Sequence, residues 1–445
     1  MDEENQRGGV RKGRVFVNYE QLYQQKKTTL EHCLDMIGSG TAICMGGDCN
    51  EPVEFCSQLH TIAPRVTGVT CVKGRMGKYP FMVEPGMDGH INLRGFFFSS
   101  GWAEGSKHGS ASLIPSDLPL YADSVNAYSP CDTAVAAVSP MDENGNFQVG
   151  LCLMWEKELF QPCKRFILEV NPGLPRIRGG LEINIRDVTA LYETDSPIAT
   201  IPAPPVGEVE ERISQNVASL VRSGDCIQLG IGSLSNAIAR QLMSLKDLGI
   251  HTEMFTDVMA DLVEKGVVTG ARKNLNPGEH IGTFAGGSAR LYEAMAQNPA
   301  FRIMPASYAV DPLVIMQNDN MVSINTLVEM DLTGQVCSES IGPRQLSGSG
   351  GAFAFAYGAF RSKGGRGILA FPSRTAKGAS KINALLSHGA VVTVPRNYVD
   401  YIVTEYGVAA LRGRTVRERA HALIGIAHPD VRDELRYEAK KLFYI

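Results

Sequence analysis

The sequence predicts an α/β protein of two open, mainly parallel sheets of related topology, and three observations carry that prediction. Short apolar runs ending in glycine or asparagine recur along the chain, each followed by a segment of helical period. That is the pattern of parallel strands joined by crossover helices. Two of these segments, "TAICMGGDCNEPVEFCSQL" (41–59) and "DCIQLGIGSLSNAIARQL" (225–242), share a design of strand, glycine turn, asparagine and a helix closing on Gln-Leu, a repeat that points to two related domains. Between them lies "TDSPIATIPAPPVGEVEERI" (194–213), whose prolines forbid both helix and central strand. The predicted boundary falls there: residues 1–205 form the N-terminal α/β domain, and residues 206–445 the C-terminal one, opened by a charged helix from about Glu208.

Composition bounds the function. A chain of 445 residues, 44% apolar and 20% charged, is long enough for two or three domains with substantial cores. Its formal net charge of −4, with both signs interspersed, supplies neither the basic stripe of a nucleic-acid binder nor a polybasic membrane cluster. Of the ten cysteines, Cys44, Cys71, Cys152 and Cys226 sit inside apolar runs and no C-x-x-C pair occurs, which reads as reduced core thiols of a cytosolic protein. "MDEENQRGGVRKGRVF" at the N-terminus has no apolar stretch of signal-peptide type, and no later run approaches the roughly 18 apolar residues of a membrane span. A soluble, cytoplasmic protein is expected. The nine histidines form no H-x-x-x-H or H-E-x-x-H pair, so no metal is expected. No G-x-S-x-G lies at a strand-to-helix elbow, which removes the usual signal of a serine hydrolase.

The candidate site residues follow in chain order. "CIQLGIGSLSNAIARQL" runs a strand into Gly230-Ile231-Gly232 and then a helix, with Ser233 and Leu234 in its first turn. Backbone N–H groups there suit a phosphate or carboxylate, and the same glycines suit a plain structural turn. "LGIHTEMFTD" (248–257) sets Glu253 in an apolar, hydroxyl-rich run at a strand end, either as a solvated loop residue or as a carboxylate aimed into a cleft. His251, two residues earlier, is readable as a base or as a hydrogen-bonded core residue. Asn325 in "MVSINTLVEMDL" and Tyr406 in "TEYGVAALRGRT" are strand-edge polar residues. "GPRQLSGSGGAFAFAYGAFRSKGG" (342–365) gathers Gly348, Gly350 and Gly351 before an aromatic, alanine-rich segment. Such glycines let backbone approach a ligand and let adjacent amides donate to an oxyanion, although a surface loop has the same composition. "FPSRTAKGASKI" (371–382) then places Arg374, Lys377 and Lys381 after a strand, where either phosphate or solvent would suit them.

Nearly the whole chain resembles the acetyl-CoA hydrolase/transferase family, and within it the 4-hydroxybutyrate and butyryl-CoA:acetate CoA-transferases. The resemblance is carried by "GGDCNEP", "MGKYPFM", "GHINLRGFF", "LGIGSLSNA", "GIHTEMFTD", "NDNMVSIN", "DLTGQVCSESIG" and "VTEYGVAALRGRTVRERAHALIGIAHPDVRDEL". It implies two α/β domains with the active site at their interface, a homodimer, and coenzyme A or acyl-CoA as substrate with no tightly bound cofactor. In the family's H-[ST]-E-M pattern the glutamate is the nucleophile, here Glu253. The resemblance further implies that Gly230 to Leu234, Asn325, Gly350 and Lys377 contact CoA, and that amides near Gly351 and Ile231 donate to the oxyanion. The family's G-G-Q-x-D-F-x-R-G-A is here "GGAFAFAYGA", with Ala352, Ala354 and Tyr357 at the polar positions, and Arg374 interrupts the usual P-S-T-A-K. With Phe353 and Phe355 retained, a more apolar pocket and a short aliphatic acyl group are expected. An acyl-CoA hydrolase using the same glutamate and a catalytically degraded CoA-binding protein are the alternatives.

Overall fold

Seven short strands pair side by side into the first sheet. Their spatial order is Ala111–Leu113, Ile91–Gly95, Val69–Val72, Ala42–Met45, Thr133–Val138, Arg165–Val170 and Ala190–Glu193. Every pairing is parallel, with Ile43 against both Cys71 and Thr133. A strand covered on both faces must be apolar throughout, and all six residues of Thr133–Val138 are buried. Alternation sends Ile43, Met45 and Val135 into one core and Cys44, Ala134 and Ala136 into the other. The structure, a computed structural model, describes residues 18–74, 77–202 and 204–445. The charged N-terminal stretch lies outside them.

The second sheet is drawn from residues 226–410, in the order Gly249–Ile250, Cys226–Leu229, Met321–Asn325, Arg366–Ala370, Tyr401–Thr404 and Gly407–Ala410. Only the final hairpin pair is antiparallel. The segment 194–207 carries no helix or strand among its described residues, as its prolines require. The next helix, Glu208–Ala218, begins with Glu208, Glu210 and Glu211 against its positive N-terminal end.

In an open parallel sheet the strand order reverses at one point, where the loops leaving two neighbouring strands diverge and leave a crevice. The reversal lies between Ala42–Met45 and Thr133–Val138 in the first sheet, and between Cys226–Leu229 and Met321–Asn325 in the second. All ten cysteines are buried and unbridged. No helix among the described residues is long and apolar enough to cross a membrane.

Candidate active site

Carboxyl ends of strands from both sheets open into one cavity of about 470 Å³. Asp48, Phe96 and Phe97 reach it from the first sheet; Gly230 to Leu234, Asn325 and Pro372 reach it from the second.

Glu253 enters the cavity because the chain bends there. The strand Gly249–Ile250 ends, His251 bridges to Ile281, and Met254–Phe255 starts a new parallel pairing with Phe284–Ala285. The Glu253 carbonyl accepts from the N–H groups of Thr283 (3.0 Å) and Phe284 (3.3 Å), fixing the bend, while His251 and Thr252 are fully buried. Its carboxylate Oε2 accepts from the Gly351 N–H at 2.9 Å. A Cβ at Gly351 would stand 2.4 Å from that oxygen and 2.8 Å from Val310, so only glycine fits. Gly351 also caps the helix Ala352–Arg361, whose amino end favours a negative charge. Burial outweighs this donor: it pushes the Glu253 carboxyl up to about 7, with a smaller rise from the nearby charge of Asp48.

Gly348 and Gly350 bring the same loop against the first sheet. A Cβ on Gly348 would lie 1.9 Å from the Phe96 carbonyl, an approach that any larger residue blocks. Gly350 has φ +54°, and its carbonyl accepts from Leu118 N–H at 3.3 Å. Ser349 Oγ donates to Ser116 O at 2.9 Å. The cavity wall is thus stitched together from both sheets.

In the turn after Cys226–Leu229, Gly230 N–H donates to Ile324 O (3.1 Å) and Gly232 has φ +110°, a conformation only glycine adopts readily. The helix Ser233–Gln241 starts there, and Ile231 is half exposed at the cavity. Asn325, at the end of its strand, pairs carboxamide to carboxamide with Gln228: Gln228 Nε2 donates to Asn325 Oδ1 (3.0 Å), and Asn325 Nδ2 to Gln228 Oε1 (3.1 Å). Opposite, Gly46-Gly47 leads into Asp48 at φ +42°. Buried Glu156 holds this turn through Gly47 N–H (2.7 Å), and Asn50 holds it through Ala137 O and the N–H groups of Leu151 and Cys152.

Other expectations need correction. Lys377 lies exposed on a turn away from the lining, Arg374 pairs with Asp430 at 3.1 Å, and Lys381 Nζ donates to Leu327 O. None brings a cation into the cavity, whose described lining contains no Lys, Arg or His. Of the segment "AFAFAY" only Ala352 lines it. Phe353 packs against Tyr357 and Tyr398, while Ala354 and Phe355 are in the core, as helical period dictates once Gly351 is fixed. The apolar lining comes instead from Phe96, Phe97, Met154, Met254 and Phe284, of which the sequence reading quoted Phe96 and Phe97 in "GHINLRGFF" and Met254 in "GIHTEMFTD" without giving them a lining role. His251 is a core residue: Nε2 donates to Ala309 O (2.9 Å), Nδ1 accepts from Asn318 (3.3 Å), and burial, then Lys273, lowers it to about 3. Tyr406 packs edge-on against His428 outside the cavity.

Residues 287–439 match the family model for the acetyl-CoA hydrolase/transferase C-terminal domain. The chain is 38% identical over 426 residues to a succinyl-CoA:cyclohexane-1-carboxylate CoA transferase of Geobacter metallireducens, covering 96% of this chain and 97% of that one. It is 39% identical over 432 residues to the 4-hydroxybutyrate coenzyme A transferase of Clostridium kluyveri, covering 96% and 100%. The crystal structure of RipA from Yersinia pestis superposes with a TM-score of 0.89 at 34% identity, over 96% and 100% of the two chains.

Proposed function

The chain belongs to the acetyl-CoA hydrolase/transferase family and is an enzyme of the CoA-transferase type; we propose that it moves CoA between short-chain carboxylic acids of the 4-hydroxybutyrate, butyrate and acetate type through a thioester on Glu253. The observation that carries this reading is the Glu253 carboxylate, turned into the cavity and held by the Gly351 N–H.

An ionised Glu253 oxygen attacks the thioester carbonyl carbon of the donor. The C–S bond breaks, giving an acyl-glutamyl anhydride and CoA thiolate. The thiolate attacks the glutamyl carbonyl, the C–O bond of the anhydride breaks, and the donor acid leaves as its carboxylate. Glu253 then carries CoA as a thioester, and an acceptor carboxylate runs the sequence backwards. Each intermediate retains the activation of the thioester, so exchange needs no ATP, and two-stage kinetics follow. The amides of Gly351 and Ile231 are placed in the role of oxyanion donors, whose value lies in being fixed before charge develops. Gly230 to Leu234, Asn325 and Gly350 are the proposed CoA contacts. Lys377 could act in that role only from outside the lining described above. The reading is of a cytoplasmic homodimer with CoA thioesters as substrates and no tightly bound cofactor.

Replacing Glu253 by Ala tests it. Acetate-dependent transfer from butyryl-CoA should fall on the order of 10⁴-fold, with CoA affinity nearly unchanged, whereas a variant as active as the parent would remove Glu253 from the mechanism. Release of free CoA at the same rate with and without acetate would replace transfer by hydrolysis.

A further inference from the structure

Gln228 is a carboxamide only 3% exposed, on a strand whose four residues are all buried. Burying such a group is unfavourable unless its hydrogen bonds are met, and here they form a directed chain. The backbone N–H of Ile324 donates to Gln228 Oε1 at 3.1 Å. A backbone N–H can only donate, so this contact fixes which end of the Gln228 amide is oxygen. Nε2 must then face Asn325, whose Oδ1 it reaches at 3.0 Å, and Asn325 Nδ2 must face back to Oε1 at 3.1 Å. The orientation of the Asn325 carboxamide is thereby dictated by the strand pairing of Leu229 with Ile324, through the Gln228 side chain.

The consequence lies in what remains. Asn325 has four hydrogen-bonding positions and gives two to Gln228, leaving one N–H and one oxygen lone pair of fixed direction at the cavity both residues line. A freely turning asparagine would offer either end; this one offers each in one place.

We propose that Gln228 is a positioning residue, which locks the Asn325 carboxamide so that its second N–H donates to an acyl-CoA bound in the cavity and its second lone pair accepts from it. This deepens, and rests on, the CoA-transferase reading above. The complementary chemistry on the ligand is a secondary amide, neutral, whose carbonyl accepts and whose N–H donates, which describes the amide-bearing arm of an acyl-CoA rather than its thioester or its phosphates. The lack of any cation among the described lining residues agrees.

The test is a double-mutant cycle on the full-length enzyme, using Gln228→Glu, Gln228→Met and Asn325→Ala with butyryl-CoA and acetate. Gln228→Glu keeps an acceptor for the Ile324 N–H but sets an oxygen against Asn325 Oδ1 and adds a buried charge, whereas Gln228→Met is neutral and of similar size; the melting temperature of each variant separates a folding defect from loss of positioning. Each Gln228 variant should lower kcat/KM about 10-fold to 100-fold, as loss of a supporting hydrogen bond does elsewhere. Combined with Asn325→Ala, it should add no more than about twofold, because a residue acting only through Asn325 has nothing left to act on. Multiplicative losses, or Gln228 variants as active as the parent, would overturn the proposal. The same cycle read on the Kd of CoA gives an answer independent of turnover. If the parent forms no Glu253 thioester while the Kd cycle is non-additive, the transferase mechanism fails and the positioning role stands.

Discussion

As the proposed nucleophile, Glu253 has opposing demands on its carboxyl: a cavity that would shield an anhydride from water also disfavours the charge that attack needs. With the group pushed up to about 7 by burial, the first half-reaction should accelerate as pH rises through about 7 and level off above it, because only the ionised form attacks. A value raised far above the working pH would work against attack, because the group would stay protonated. The compensating factor is that a more basic carboxylate is also a better nucleophile, so a value near the working pH is a balance between fraction ionised and reactivity. Folding stability runs the other way. A carboxyl raised above its unfolded value of about 4.5 holds its proton more tightly when folded, so stability falls as pH climbs from 4.5 towards 7 and stays lowered beyond. Glu253→Gln should therefore melt at a higher temperature than the parent at pH 8, with the gap closing below pH 4.5. A calorimetric pH series checks this, and equal melting at pH 8 would contradict it. That Glu253 sits in a cleft was legible only through a motif match, since composition equally allowed a loop; the bend that places it depends on Thr283 and Phe284, 30 residues on.

The glycine-rich loop and the two glycine turns are the elements that build the cavity, and they were legible to different degrees. A strand running into glycines and then a helical period is a local signal, and both such segments form as read: Ala42–Met45 leads into the Gly46-Gly47 turn, and Cys226–Leu229 into Gly230 to Gly232. What the loop at 348–351 touches is not a local property. Its closest approach is to the Phe96 carbonyl, some 250 positions earlier, so Phe96 and Phe97 escaped a reading made segment by segment. The same limit misplaced Phe353 and Phe355, because the helix phase depends on where Gly351 is pinned by Glu253. Gly348→Ala should push the loop off Phe96 and carry the Gly351 N–H away from Glu253. Displacing a catalytic contact by about 1 Å costs on the order of 10²-fold, so kcat should drop by about that factor while the far-ultraviolet circular dichroism stays unchanged. Unaltered turnover in this variant would contradict the packing argument.

At the scale of the whole molecule, two parallel sheets present crevices at their points of strand reversal, and residues beside both crevices face one cavity. The first sheet contributes Phe96 and Phe97, the second Gly230 to Leu234 and Asn325. With Phe96, Phe97, Met154, Met254 and Phe284 in the lining and no described cation, a second carboxylate on the acyl group finds nothing to pair with and would be desolvated at substantial cost. Butyryl-CoA should thus have a higher kcat/KM than succinyl-CoA, and equal or better use of succinyl-CoA would reject that reading of the wall. The α/β class and the absence of helix or strand from the described residues of 194–207 followed from the chain's own punctuation; the meeting of the two crevices did not, because no local pattern encodes the contact of Ser349 with Ser116. The account as a whole depends on a covalent Glu253, and intact-protein mass after mixing with butyryl-CoA and no acceptor tests that most directly. A CoA-sized gain, mapped to the peptide containing Glu253 and reversed by acetate, is the predicted result. Consumption of butyryl-CoA with no adduct at Glu253, even on rapid quenching, would contradict it.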